Sequence, residues 1–388
     1  MTKASNESTR PVSSQASRKT RLHIFLGAGG VGKTTLSASL AIHLAFQGRK
    51  VGLLSIDPAK RLKTALGAGD IDESGQIFWQ KGHDNKLCSK EQNNHGQLRA
   101  AILSLPDSLK RWIRDEGLEG DHEETLFSHP LFQTVAEKIA SATETLAPIR
   151  MAEWTEQFQD TDDLIIDTAP GIHAVDFLIR PERLLAFFDS KILEWLKWFA
   201  GGDEESAGFI QKMVRGGAKQ ILKALGKVGG ENILLSLGEL LLMMDKVMFR
   251  MVDRLEEARQ WIRHESTDIV IVCSPRDDAI SVARELSKIL TENGMNQSRI
   301  LLNRSIPESF FDDQEVTGLY QTTEFPADNF ENLFRHYLQS AHSIRKSIMA
   351  RLGETKVTEV PVLSGLEEAG DLRLEELDRL GRSVRSSV

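Results

Sequence analysis

The stretch that most restricts this fold is Gly27-Ala28-Gly29-Gly30-Val31-Gly32-Lys33-Thr34-Thr35, which matches the pattern GxxxxGK[ST] without a mismatch. The apolar run Leu22-His23-Ile24-Phe25-Leu26 precedes it and a helix-like segment, Leu36 to Gln47, follows. Strand, glycine-rich loop and helix, in that order, is the context in which the pattern cradles phosphate; otherwise the glycines make only a turn. Glycine gives the backbone the freedom to aim successive N–H groups inward at phosphate oxygens. A helix N-terminus adds partial positive charge, a lysine at position 33 reaches the terminal phosphates, and the Thr34 hydroxyl is placed for Mg²⁺. The expected ligand is a nucleoside triphosphate, held by Gly29 to Thr35.

Several short apolar runs end in polar or small residues, as buried parallel strands do: Leu22–Leu26, Val51–Ile56, Leu164–Ile166, Ile269–Cys273, Ile300–Leu302 and, more weakly, Val360–Leu363. Helical spacing between them gives an α/β class, a doubly wound and mainly parallel sheet. Such sheets bind ligands beyond the carboxyl ends of their strands, where the glycine loop, Asp57, Asp167 and Asn303 are expected to converge. Two stretches, about 96–160 and 181–265, read as mostly helical and are expected to form an inserted helical subdomain in one domain spanning 21–388. Residues 1–20, rich in Ser, Thr, Lys and Arg, read as a solvated, disordered tail.

A net charge of −8 argues against a general nucleic-acid surface. No apolar run approaches the ~20 residues of a membrane-spanning helix. Cys88 and Cys273 stand far apart with no CxxC partner, which suits a reducing, cytoplasmic setting and argues against a cysteine zinc clasp.

Asp57 heads Asp57-Pro58-Ala59-Lys60-Arg61 directly after a strand. On its own it reads as a helix cap; beside a phosphate loop it is better placed to orient the water attacking a γ-phosphate. Asp167 closes Leu164-Ile165-Ile166-Asp167-Thr168-Ala169-Pro170-Gly171, a position suited to holding a Mg²⁺-bound water, with a following segment that can switch as the γ-phosphate comes and goes.

Over most of 21–388 the chain resembles the ArsA-type ATPases, which include arsenite-pump ATPases and the guided-entry ATPases that target tail-anchored membrane proteins. The resemblance rests on Gly29–Thr35, Ser55-Ile56-Asp57-Pro58-Ala59, Asp167-Thr168-Ala169-Pro170 with His173 and Asp176-Phe177-Leu178, Val272-Cys273-Ser274-Pro275, and Leu302-Asn303; it is nearest the bacterial ArsA-like branch. It implies ATP and Mg²⁺ as cofactors, Asp57 and Lys33 in catalysis, Thr34 and Asp167 at the metal, and Asn303 at adenine. It also implies a homodimer whose nucleotide state controls a hydrophobic protein client or membrane-associated partner. The chain departs from the family in two ways. Ala28 stands where many members carry a second lysine that reaches the partner's nucleotide; Lys60 and Arg61 are the nearby cations that could replace it. The cysteine triad and CxxC of metalloid- and zinc-binding relatives are absent, so neither role is expected, and a single His173 reads as packed or switch-linked.

Leu240 to Met251 holds four of the nine methionines, Met243, Met244, Met248 and Met251. Methionine-rich surfaces accept varied apolar partners, but methionine at helical spacing more often packs in a core, and core packing is the favoured expectation. The function expected is Mg²⁺-dependent ATP hydrolysis controlling a client. The alternatives are a nucleotide-gated scaffold with little hydrolysis, a phosphotransferase using the same loop, and, more weakly, a positioning ATPase.

Overall fold

The computed structural model describes residues 20–56, 61–67, 71–72, 74–80, 96–103, 143–172, 174–188, 245–295, 299–306, 311, 330–353, 356–362 and 374–385. Residues 1–19 of the expected tail, Asp57 to Lys60, His173 and the stretches 104–142 and 189–244 lie outside them, whereas Thr20, the tail's last residue, donates its hydroxyl to the Thr161 carbonyl at 2.7 Å.

Eight strands form one sheet: β1 (Arg21–Gly27), β2 (Lys50–Ser55), β3 (Gln76–Gln80), β4 (Gln97–Ile102), β5 (Asp163–Asp167), β6 (Asp268–Cys273), β7 (Arg299–Ser305) and β8 (Val357–Pro361). Their order is β3-β4-β2-β5-β1-β6-β7-β8, parallel throughout except for β3, which runs antiparallel to β4. The chain is therefore α/β with a mainly parallel, doubly wound sheet, and β1 sits between β5 and β6. Register sets Phe25 beside Asp167 and Gly27 beside Val272, so the end of β1 lies between the ends of both neighbours.

These strands are continuous apolar runs because both faces are covered. Alternate residues feed two cores: Ile24, Leu164, Ile166 and Ile271 on one face, Phe25, Ile165, Val270 and Val272 on the other. The second face is covered by α1 (Lys33–Phe46), α2 (Arg61–Leu66) and α8 (Leu374–Arg385). Helix α1 is buried almost all round, as its Ala- and Leu-rich sequence requires, and ends at Gly48, whose left-handed φ of 90° permits the turn into β2. Leu377, Leu380 and Val384 form the buried stripe of α8. A Cβ at Gly381 would stand 2.2 Å from the Ser39 carbonyl oxygen, so glycine is what lets α8 approach α1. His43 Nδ1 and Asp378 Oδ1, 2.8 Å apart, fix the register of the two helices.

The first face carries α3 (Thr143–Gln157), α4 (Ala174–Phe188), α5 (Asp245–Ile262), α6 (Asp277–Glu292) and α7 (Phe330–Leu352). Trp154 of α3 is wedged where a Cβ at Gly52 or Gly75 would come within 2.7 Å of its ring. Met251 of α5 is buried, which agrees with core packing for that end of the methionine stretch; Met243 and Met244 lie outside the described residues.

Three expectations shift. Residues 97–102, at the head of the stretch read as helical, form strand β4: Leu98, Ala100 and Ala101 are buried, while Arg99 lies with its guanidinium 4.6 Å from the Phe158 ring centre. Strand β8 starts at Val357, earlier than the apolar run suggests, because Val357 to Pro361 are what pairs with β7. Asn303 lies inside β7 rather than after its end. The register slips between Asn303 and Ser305 around Arg304, which has a φ of 59°, so pairing continues past the polar residue.

At the amino edge of the sheet the first residues of β5, β6 and β7 assemble a buried charge network. His23 lies 3.1 Å from Asp163 Oδ1 and 3.3 Å from Asp268 Oδ2. Arg49 pairs with Asp163, and Arg299 Nη2 lies 3.2 Å from Asp268. Burial opposes charge on His23, but the two carboxylates outweigh it and raise its pKa above 6.5. Burial likewise opposes charge on Asp163, and His23 and Arg49 outweigh that too, holding its pKa low.

Candidate functional site

The opposite, carboxyl edge is built around the glycine loop. Gly30 and Gly32 take left-handed φ values of 74° and 95°, which turn the chain sharply from β1 into α1. Gly32 has a second constraint: a Cβ there would stand 2.3 Å from Asn303 Nδ2. Gly27, with φ 151°, is crowded by the Val272 carbonyl oxygen, 2.2 Å from where a Cβ would be. The loop can therefore form only with glycine at these points.

Lys33, in the first turn of α1, folds back over the loop and donates from Nζ to the carbonyl oxygens of Gly27 and Ala28, at 3.0 and 2.9 Å. It is almost fully buried. Net, a hydrogen bond from a charged donor contributes about 1.5–3 kcal/mol. An anionic phosphate oxygen is a stronger acceptor for ammonium than a carbonyl, so these bonds hold the lysine ready and can be exchanged for phosphate. Thr34 and Thr35 follow in the same turn, their carbonyl oxygens accepting from Ser37 Oγ at 3.0 Å and Ser39 Oγ at 2.7 Å. Val31 anchors the loop in the core, fully buried, and its carbonyl accepts from Asn303 Nδ2 at 2.8 Å. Asn303 Oδ1 accepts from the Arg304 N–H at 3.0 Å.

Asp167 closes β5 and is completely buried. Ser55, the last residue of β2, donates its hydroxyl to Asp167 Oδ2 at 3.0 Å and so orients the carboxylate. Thr168 Oγ1 donates to the Phe25 carbonyl at 2.6 Å, and the Gly171 N–H to the Gly27 carbonyl at 2.9 Å. The segment after β5 is thus stitched directly to the phosphate loop. From the far side Arg276, just beyond β6, reaches the Gly29 carbonyl with Nη2 at 3.4 Å. Cys273, the last residue of β6, is buried, and burial pushes its thiol up to about 12, which makes it chemically inert.

The structure therefore brings together Gly29 to Thr35, Asp167 and Asn303, while Asp57 lies outside the described residues, between Ile56 and Arg61. Two contributors escape the sequence. Ser55 enters there only as part of the Ser55-Ile56-Asp57-Pro58-Ala59 motif, with no role given to it, and Arg276 stands one residue past the Ser274-Pro275 pair. Glycines at left-handed φ, an exchangeable ammonium, a hydroxyl side chain at the helix start and a buried carboxylate suit a polyphosphate bound with a hard divalent cation.

Comparison with known proteins agrees. A family model described as anion-transporting ATPase matches residues 20–339. The chain is 33% identical over 168 residues to the "ATPase GET3" of Ajellomyces dermatitidis, covering 43% of this chain and 45% of that protein. It is 25% identical over 305 residues to the "ATPase GET3C" of Arabidopsis thaliana, covering 74% and 68%. Against the "Arsenical pump-driving ATPase" of Acidiphilium multivorum it is 31% identical over 166 residues, covering 43% and 26%. The match thus spans less than half the length of the first of these relatives.

Proposed function

The chain belongs to the anion-transporting ATPase family, and from that premise we propose that it is a Mg²⁺-dependent ATP hydrolase whose nucleotide state sets the conformation of a client-binding dimer. The observation that carries this reading is Lys33 lying across the Gly27 and Ala28 carbonyls, within a loop whose neighbouring strand ends in the buried Asp167.

On this reading the N–H groups of Gly29 to Thr35 bind the phosphates and Lys33 transfers its hydrogen bonds from loop carbonyls to phosphate oxygens. The oxygen donors of Thr34 and Asp167 fit Mg²⁺, which when bound neutralises phosphate charge. Ser55 keeps the Asp167 carboxylate turned toward that task. Asp57 orients the attacking water. Asn303 braces the loop through Val31 and, as the family resemblance implies, contacts adenine when its amide is released. Because Gly171 is bonded to Gly27, a change at the phosphate loop passes directly to the start of α4, the element through which nucleotide state would reach a client.

A homodimer, a hydrophobic or membrane-associated client and a cytoplasmic setting belong to the same proposal, as the family resemblance implies. Among the described residues no helix is long and apolar enough to cross a membrane. The buried stripe of α8 packs on α1, which weighs against a positioning ATPase with a lipid-binding C-terminal helix. Arsenite handling finds no support at Cys273, whose thiol is buried.

The test is ATP turnover with Mg²⁺ by the purified chain beside Asp57→Asn, with nucleotide binding followed in the same samples. Turnover that collapses in the variant while binding persists is the expected result. Tight binding without turnover in either protein would favour the nucleotide-gated scaffold instead, the reading that the methyl side chain at Ala28 keeps in play.

A further inference from the structure

The loop Gly27–Thr35 contains a single cationic side chain, Lys33, since position 28 carries a methyl group. A second cation reaches it from elsewhere in the chain. Arg276 follows β6 in a tight turn, its N–H donating to the Ser274 carbonyl at 2.7 Å, and in extended conformation it precedes α6. Its Nη2 is 3.4 Å from the carbonyl oxygen of Gly29, the third residue of the phosphate loop. The same guanidinium holds both oxygens of Asp278, Nε at 3.2 Å and Nη2 at 2.9 Å.

Two features make this arginine available to a ligand. It is 54% exposed and Asp278 69% exposed, and ion pairs in that setting contribute little. A γ-phosphate offers more charge and the same paired-oxygen geometry that the guanidinium fork already uses on Asp278. Arg276 is also held on the lip of the loop beside position 28.

We propose that Arg276 is a catalytic arginine of the phosphate site, acting within its own chain: it exchanges Asp278 for γ-phosphate oxygens and stabilises the charge that develops as the phosphoryl group transfers. The inference rests on the hydrolase reading above. In the step it assists, the water oxygen bonds to the γ-phosphorus while the bond to the β–γ bridging oxygen breaks. That electron pair leaves with ADP, and the proton released by the water ends on inorganic phosphate. Arg276 remains protonated throughout and contributes charge alone. In other phosphate-loop enzymes an arginine in this role is worth about 10³–10⁵ in turnover. Its absence from the loop pattern is no obstacle, because such an arginine comes from outside the loop.

The experiment compares wild type, Arg276→Ala, Arg276→Gln and Arg276→Lys in three measurements: ATP turnover, affinity for ATP, and binding of ADP with aluminium fluoride, which mimics the transferring phosphoryl group. Arg276→Ala and Arg276→Gln are expected to lower turnover about 1,000-fold and to abolish the fluoride complex, with ATP affinity within about threefold and unfolding temperature unchanged. Arg276→Lys keeps the charge without the fork and is expected to recover about tenfold of the loss. Neutral variants that hydrolyse ATP and bind ADP–aluminium fluoride like wild type would overturn the role of Arg276 and leave the hydrolase reading standing. A wild-type protein that binds ATP but neither hydrolyses it nor forms the fluoride complex overturns both hydrolysis and this role. One that binds no nucleotide overturns the site itself.

Discussion

The two edges of the sheet place buried charge in opposite arrangements. At the amino edge His23, Asp163, Asp268, Arg49 and Arg299 pair with one another side chain to side chain. At the carboxyl edge Lys33 is buried against backbone carbonyls, and Arg276, in an exposed local pair with Asp278, reaches a carbonyl of the same loop. Charges that already face opposite charges gain little from a ligand, and breaking the pairs leaves them uncompensated in low dielectric. The bonds from Lys33 to the Gly27 and Ala28 carbonyls are to neutral acceptors, weaker than the anion that would take their place. The contrast separates what holds this protein together from what it can use, although both edges are built from the ends of the same strands.

The comparison can be broken from either side. The largest effect is expected for Asp163→Asn, which strips His23 and Arg49 of a buried partner and should cost about 3–5 kcal/mol in urea unfolding, with turnover per folded molecule unchanged. Lys33→Ala should do the reverse. Turnover is expected to fall about 100- to 1,000-fold, while stability falls by about 1.5–3 kcal/mol, because the Gly27 carbonyl keeps its bond from the Gly171 N–H. A Lys33→Ala protein with near-normal hydrolysis would remove the site assignment.

Acidity sharpens the same contrast. The raised pKa of His23 means its protonation contributes stability that is full below 6.5 and is lost as pH rises through the folded value. The depressed pKa of Asp163 contributes stability that is full above 3.8 and is lost as pH falls through its folded value. Unfolding temperature should therefore decline as pH climbs from about 6.5, and His23→Gln should flatten that decline; an identical pH profile in the variant would show that the network does not titrate. The smallest effect belongs to Asn303→Ala, which removes the bond to the Val31 carbonyl for about 1 kcal/mol. If Asn303 also reads adenine, the variant should lose most of its preference for ATP over GTP.

What could be read from the sequence follows from how each element is stabilised. The parallel strands around β1 are legible because burial on both faces demands unbroken apolar runs, and the loop because left-handed turns and close contacts admit only glycine. Strand β3 was hidden because an edge strand keeps polar residues, Gln76 and Gln80, at its ends. Strand β4 was hidden because Arg99 interrupts its apolar run and is tolerated only through the Phe158 ring and the Gly75 carbonyl. Arg276 and Asn303 meet the loop from 247 and 272 residues away, a closeness that only the order of strands in the sheet creates. Asn303 could still be singled out because it follows the apolar run Ile300–Leu302, whereas an arginine opening a helix has many ordinary uses.

The central claim is that the carboxyl edge holds ATP through Lys33. Thermal unfolding of wild type and Lys33→Ala, each with and without Mg²⁺ and ATP, tests it most directly, because a ligand bound only by the folded state raises its stability. The account predicts that ATP raises the unfolding temperature of wild type markedly, whereas the variant gains little over its own nucleotide-free value. Equal gains in both proteins would contradict it and place the nucleotide elsewhere.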